Sequence, residues 1–201
     1  MLGQTKGDKR ARTRAKLIDA AAQVIAERGY ERMSLEAVAA KAGMTRGAFY
    51  GNFKDKDELI LAVMRSRWRP AAPAAKAGAT FREQMRLSGE ALAAAMPERV
   101  ARARQALAFQ LYALDHEEIR KRYAALNDEV YRRMEEALLG LFAQSQMPMP
   151  AAKLVRALHA LSDGLVYARA LNPRAFGDDA IVAAFEAFAN LPAAAAKTKK
   201  R

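Results

Sequence analysis

Residues 34–53 read SLEAVAAKAGMTRGAFYGNF, and this stretch decides the fold. Ser34 suits an N-cap, and Leu35, Val38, Ala39 and Ala42 recur at helical spacing, so the first half forms a helix with one buried face. Gly43 stands where a helix needs a left-handed residue to stop, with Met44 folding back as the apolar contact of that cap. Thr45 caps a second helix, read as far as Phe53, from which Phe49 and Phe53 point inward. Arg46, Gly47, Ala48, Tyr50, Gly51 and Asn52 are left outward. A helix, a glycine-containing turn and a second helix with a polar outer face is either a DNA-reading helix-turn-helix or an ordinary corner of an all-helical protein.

The next residues favour DNA. Asp55 and Glu58 have capping-box spacing for a further helix, which places Lys56 in its first turn. There its ammonium and the open backbone N–H groups can hold one phosphate. The run TRGAFYGNF (45–53), followed by Lys54-Asp55-Lys56-Asp57-Glu58-Leu59, resembles the signature of the TetR (tetracycline-repressor) family of bacterial transcription regulators. The resemblance extends from about Arg12 to Val63; beyond it only length and helical organisation match. It departs at Gly51, where the family often has a large or polar residue, and at Asn52, where it often has His or Tyr. The base preference of other members therefore does not carry over. The resemblance implies an all-α chain with an N-terminal three-helix helix-turn-helix domain and a larger C-terminal helical ligand-binding and dimerisation domain. It implies a homodimeric repressor released from a palindromic double-stranded DNA operator by a small molecule.

The expected DNA contacts are Thr45, Arg46, Gly47, Ala48, Tyr50, Asn52 and Lys56, with Ser34 at the head of the bracing helix. Arg46 carries the guanidinium fork that fits guanine O6 and N7, worth roughly 1–3 kcal/mol of discrimination when bidentate. Thr45, Tyr50 and the Asn52 amide can donate to phosphate oxygens. Gly47 and Gly51 each weaken a helix by about 1 kcal/mol relative to Ala; at Gly47 the missing side chain lets the backbone approach base edges.

Charge location supports this reading. Of the net charge of +12, residues 1–69 carry +7, residues 70–192 only +1, and the tail the remaining +4. Positive charge thus lies with the helix-turn-helix segment and the two ends, as expected of a DNA-binding end. A non-sequence-specific architectural nucleic-acid-binding protein, using both basic ends, is the alternative. A chain of 201 residues with 52% hydrophobic residues can bury a core. It has no apolar run long enough to span a membrane and no apolar leader, so a cytoplasmic protein is expected. With no cysteine, disulfides and thiolate chemistry are excluded. His116 lacks the second histidine of a zinc-protease helix, and His159 with Asp163 at i,i+4 forms a pair rather than a catalytic constellation. No enzyme, cofactor or metal is expected.

The division read from these patterns is 1–56 as the DNA-binding domain with a basic arm, 57–192 as the effector-binding and dimerisation domain, and 193–201 as a basic disordered tail. Residues 1–10 are read as disordered, and Lys6, Lys9, Arg10, Arg12, Arg14 and Lys16 as a basic arm leading into a helix over 13–28. A helix over 57–69 is, in the resemblance, the lever between ligand and DNA. Pro70 and Pro73 mark a loop to about residue 79, followed by helices near 80–95, 98–114, 117–144, 151–171 and 178–190. Trp68, Met85, Met96, Phe109, Tyr112, Tyr131 and Met134 are the candidate lining of an effector pocket, or plain core. The lack of a charged cluster on an apolar face points to a lipophilic ligand. Leu154, Leu158, Leu161, Leu165, Ile181, Phe185 and Phe188 form the candidate dimer seam, with Ala157, Ala160 and Gly164 permitting close approach; an intrachain face is the alternative.

Overall fold

The computed structural model of the chain describes residues 6–67, 76 and 78–192. Among these, regular structure is entirely helical: α1 (Lys6–Arg28), α2 (Leu35–Ala42), α3 (Arg46–Tyr50), α4 (Lys56–Arg67), α5 (Phe81–Asp115), α6 (Glu117–Leu141), α7 (Ala151–Leu171) and α8 (Asp178–Ala189), with a 3₁₀ turn at Gln144–Gln146. Two compact units result. The first takes residues up to 69 together with 105–123; the second takes 70–104 and 124 onward. The boundary therefore differs from a cut after residue 56. The end of α5 and the start of α6 join the first unit because Phe109 and Tyr112 pack on Tyr30, with ring centroids 5.6 Å apart in both pairs.

Three helices differ from their sequence expectations, each for a local reason. α1 begins at Lys6 rather than near Thr13, so residues 6–10 are helical rather than a disordered arm. Asp8 lies in its first turn, where the helix dipole favours a carboxylate, and the Thr13 hydroxyl bonds back to the Lys9 carbonyl at 2.9 Å. α3 ends at Tyr50 rather than Phe53. The Asn52 amide donates to the Ala48 carbonyl at 2.8 Å, the acceptor its own backbone N–H would take in a continuing α-helix. That N–H turns instead to the Phe49 carbonyl, which Phe53 also uses. α5 runs unbroken through Pro97, where a break between two helices was expected. Proline removes one hydrogen bond and crowds the preceding turn, but Leu92, Met96 and Ala103 are buried on one face across that point and hold the helix together.

The first unit is built around Leu17, Ala21 and Val24 of α1, Val38 of α2, Phe49 and Phe53, and Leu59 and Ile60 of α4, all with little or no exposure. α2 ends as expected. Gly43 adopts φ +64°, its N–H reaches the Ala40 carbonyl, and the Met44 N–H reaches the Ala39 carbonyl, the double closure of a Schellman cap.

In the second unit, one core cluster gathers Leu92, Met96, Ala103, Leu165, Val166, Ile181 and Phe185, and another gathers Phe81, Met85, Phe142, Met147, Ala151 and Leu154. This places part of the expected dimer seam inside the chain. Leu154, Leu165, Ile181 and Phe185 are buried within the chain, and Leu158, Leu161 and Phe188 pack on the same clusters half-buried. A leucine stripe at three- and four-residue steps looks the same whether its partner helix is in the same chain or in another. The exposed residues of α7 and α8 include small ones beside Lys153, Arg156, Asp178 and Asp179. Ala160 and Gly164 are exposed on α7 and Ala183 and Ala187 on α8, with Leu171 at 88% exposure. α5 crosses α8 at Gly89, where an added Cβ would stand 2.8 Å from the Val182 Cα.

Candidate DNA-reading site

α2 and α3 are set against each other by two caps. The Ser34 hydroxyl accepts from the Ala37 N–H at 3.1 Å, and the Thr45 hydroxyl accepts from the Ala48 N–H at 3.3 Å. Both hydroxyls accept in these caps and keep their own O–H protons; Thr45 is exposed and Ser34 half-buried. Phe49 and Phe53 stack at 5.7 Å in the core and fix the rotation of α3, so that Arg46, Gly47 and Tyr50 face solvent. Ala48 is half-buried. Nothing beyond its own turn lies near Gly47: an added Cβ would meet only the Thr45 hydroxyl oxygen, at 3.7 Å.

The long polar side chains are already engaged within the chain. Arg46 lies 3.2 Å from a Glu36 carboxylate oxygen on α2 and donates to the Tyr50 hydroxyl at 3.2 Å. The Tyr50 contact, and then the Glu36 charge, raise the Arg46 pKa above its ordinary value. Tyr50 accepts from Arg46 and so keeps its own proton to donate. Asn52 differs from the expected phosphate donor. It is half-buried, its amide N–H is bonded to Ala48, and its Oδ1 is buried with no partner. Lys56 also differs from a free phosphate grip: its Nζ lies 3.4 Å from the Glu31 carbonyl oxygen and 5.8 Å from the Tyr112 ring centroid.

Five residues hold this surface in place: Asp55 and Glu58, which the capping-box spacing pointed to, and Arg14, Arg122 and Glu36, which it did not. Arg14 of α1 donates to the Asn52 carbonyl, pairs with Glu58 at 3.1 Å and lies 4.1 Å over the Phe53 ring. It braces the α3–α4 turn instead of extending a basic arm. Glu58 in turn accepts from the Lys54 N–H at 2.8 Å. Asp55 caps α4 by accepting from the Glu58 N–H at 2.7 Å and receives both terminal nitrogens of Arg122 at 2.9 and 2.8 Å. The Arg122 hydrogen bonds, with help from the Glu58 N–H, hold the Asp55 carboxyl below its usual range against the opposing effect of burial. Glu36 is the fifth. Sequence spacing alone places Glu36 in the first turn of α2, but only the packing of α2 on α3 brings it to Arg46.

The candidate pocket residues fall in both units. Phe109 and Tyr112 are buried in the first unit, and burial pushes the Tyr112 phenol up. Met85 and Met96 lie in the two separate core clusters of the second unit. Tyr131 and Met134 are half-buried on α6, with Tyr131 edge-on to His159 at 5.3 Å and under Arg156 at 5.5 Å. Trp68 lies outside the described residues. His159 and Asp163 do pair, at 3.6 Å. No group of three or more metal-ligating side chains occurs among the described residues, and none of their helices is long and apolar enough to cross a membrane.

An exposed arginine and tyrosine on a short helix, capped by Thr45 and braced by α1, α2 and the start of α4, give the first unit the layout of a helix-turn-helix. Residues 17–63 match the profile of the bacterial regulatory proteins, tetR family, so this stretch carries a domain of that family. It is 45% identical over 58 residues to the HTH-type transcriptional regulator SrpR of Pseudomonas putida, a match covering 29% of this chain and 27% of SrpR. The chain thus spans under a third of that relative's length. Among solved structures it resembles GusR of Salmonella enterica (TM-score 0.71, 17% identity, 92% of this chain and 98% of that one). It also resembles NalD of Pseudomonas aeruginosa, a secondary repressor of the MexAB-OprM multidrug efflux pump (TM-score 0.59, 23% identity, 87% and 93%). At these identities the structures establish the fold, a tetR-type helix-turn-helix followed by a larger helical domain.

Proposed function

We propose that the chain is a homodimeric transcriptional repressor that reads a two-fold symmetric DNA operator and leaves it when a small molecule binds. The observation that carries this reading is the α3 surface: Thr45, Arg46, Gly47 and Tyr50 stand exposed together on a helix whose orientation is fixed by Phe49 and Phe53. In this reading Arg46 supplies base discrimination, Thr45 and Tyr50 donate to phosphates, and Lys56 joins them by leaving the Glu31 carbonyl. One such helix covers too few base pairs to be specific, so two copies are required. The face offered for pairing is the small-residue side of α7 and α8, with Ala160, Gly164, Ala183 and Ala187, in place of the buried leucines.

The effector belongs to the second unit, where Tyr131 and Met134 remain half-buried and adaptable. A lipophilic molecule suits them. A cytoplasmic location follows from a chromosomal target.

Selection from random duplexes with the full chain tests the proposal. Enrichment of a two-fold symmetric site supports it. Salt-sensitive binding without any enriched site would instead mark an architectural nucleic-acid-binding protein.

A further inference from the structure

We propose that Glu36 is a specificity-determining positioning residue, acting through Arg46; this rests on the reading of Arg46 as the base-contacting side chain. Arginine is long enough to reach either a base edge or the nearest phosphate, and only the first carries sequence information. In this chain the Arg46 guanidinium is held between two groups on the reading face: a Glu36 oxygen at 3.2 Å from one terminal nitrogen and the Tyr50 hydroxyl at 3.2 Å from the other. Its Cζ lies 5.7 Å from the Tyr50 ring centroid. A guanidinium has five N–H groups, so these contacts leave donors for a bidentate contact with guanine.

Two effects then follow from one carboxylate. Glu36 keeps the fork at the α2–α3 corner, so a guanine edge meets a donor pair already oriented. Glu36 is also a negative charge on a surface that must approach a polyanion, and both its side chain and that of Arg46 are 63% exposed. It therefore penalises every duplex, and only one that presents a guanine to Arg46 offsets the penalty. Neighbouring acidic side chains on α1 and α4 do not share the task. Glu27 is paired with Lys41, and Glu58 with Arg14. Removing the Glu36 charge frees Arg46 to follow phosphates and lifts binding to random sequence more than binding to the chosen site.

The test uses the full chain and the duplex returned by selection, beside a random duplex of equal length. Glu36→Gln keeps the size of the side chain and removes its charge; Glu36→Asp keeps the charge one methylene shorter. The readouts are the ratio of affinities for the two duplexes and the salt dependence of each. Glu36→Gln is expected to lower the ratio about tenfold, the size of one lost bidentate base contact, chiefly by tighter random binding. Glu36→Asp should restore most of the ratio, and Glu36→Gln should add nothing once Arg46→Ala is present. A ratio unchanged in Glu36→Gln, where Arg46→Ala lowers it, overturns the proposal and leaves the Arg46 reading intact. Loss of preference at a base position other than the one Arg46→Ala relaxes makes Glu36 a direct reader and also overturns it. An Arg46→Ala chain with an unchanged ratio removes the Arg46 reading itself.

Discussion

Removing the Asp55–Arg122 pair tests how the start of α4 is held. Asp55 does two things at once: it caps α4 through the Glu58 N–H at 2.7 Å and takes Arg122 in a two-bond clamp at 2.9 and 2.8 Å. Loss of an aspartate cap costs about 1 kcal/mol. The side chains of the pair are 33% and 39% exposed. Solvent screening discounts the clamp to the upper end of the range for exposed pairs, about 1 kcal/mol. Asp55→Ala should therefore cost about 2 kcal/mol, Arg122→Ala about 1, and the double variant about 2, giving a coupling near 1 kcal/mol. Because the Asp55 carboxyl is held below its usual range, its contribution is complete above the unfolded-state value of about 3.9 and disappears as pH falls through the lower folded-state value. The wild-type advantage over Asp55→Ala should be flat between pH 5 and 8 on the scale of these effects, and should shrink only in acid. Urea denaturation of the four proteins across pH, at low and high salt, measures this. A coupling below about 0.3 kcal/mol at low salt, no larger than the error of such cycles, would refute the clamp as an energetic link between α6 and α4.

Glycines supply three further tests. At Gly164 an added Cβ meets nothing within 4 Å inside the chain. Gly164→Arg should keep or slightly raise helix stability, yet turn a dimer into a monomer in sedimentation at micromolar concentration; an unchanged dimer moves the interface elsewhere. Gly89→Ala places a carbon 2.8 Å from the Val182 Cα and should destabilise the second unit by about 1–3 kcal/mol through overpacking, read as a lower urea midpoint. Gly47→Ala should stabilise α3 by up to about 1 kcal/mol while weakening binding to the selected duplex. Equal or tighter binding would show that the backbone at Gly47 does not need close approach.

The helix-turn-helix was legible because its signals are local: a capping serine, a left-handed glycine, a capping threonine and an apolar pair four residues apart. The glycine cap and both hydroxyl caps stand where spacing put them. What was not legible depends on competition or on distance. Asn52 shortens α3 because its amide takes the Ala48 carbonyl, an outcome that helix periodicity cannot express. Arg14 read as one more charge of a basic arm, but 38 residues along the chain the Asn52 carbonyl and the Phe53 ring claim it. The leucines of α7 were correctly read as apolar, yet Leu154 and Leu165 are buried within the chain, since periodicity identifies a buried face without naming the chain that buries it. Pro97 failed as a breaker because the burial of Leu92, Met96 and Ala103 outweighs one missing hydrogen bond.

These local engagements also bear on how DNA is bound. On the reading face, Arg46 is held by Glu36 and Tyr50, Lys56 by the Glu31 carbonyl, and the Asn52 amide by Ala48. Binding is then an exchange of partners, and each new contact is worth its difference from the one given up. The exchange differs among the three. Lys56 leaves a neutral carbonyl and gains a phosphate, so it retains a full charge-neutralising contact with a salt slope of about 0.9 for that phosphate. Asn52 trades one neutral hydrogen bond for another and would uncap α3 in doing so; its expected net gain is near zero. Arg46 is already partly neutralised by Glu36, so its contact with a base adds discrimination without adding a full unit to the salt slope. The net +7 of residues 1–69 therefore overstates the electrostatic drive, and the salt dependence should follow Lys56 and the outward cations of α1 more closely than the residues that read sequence.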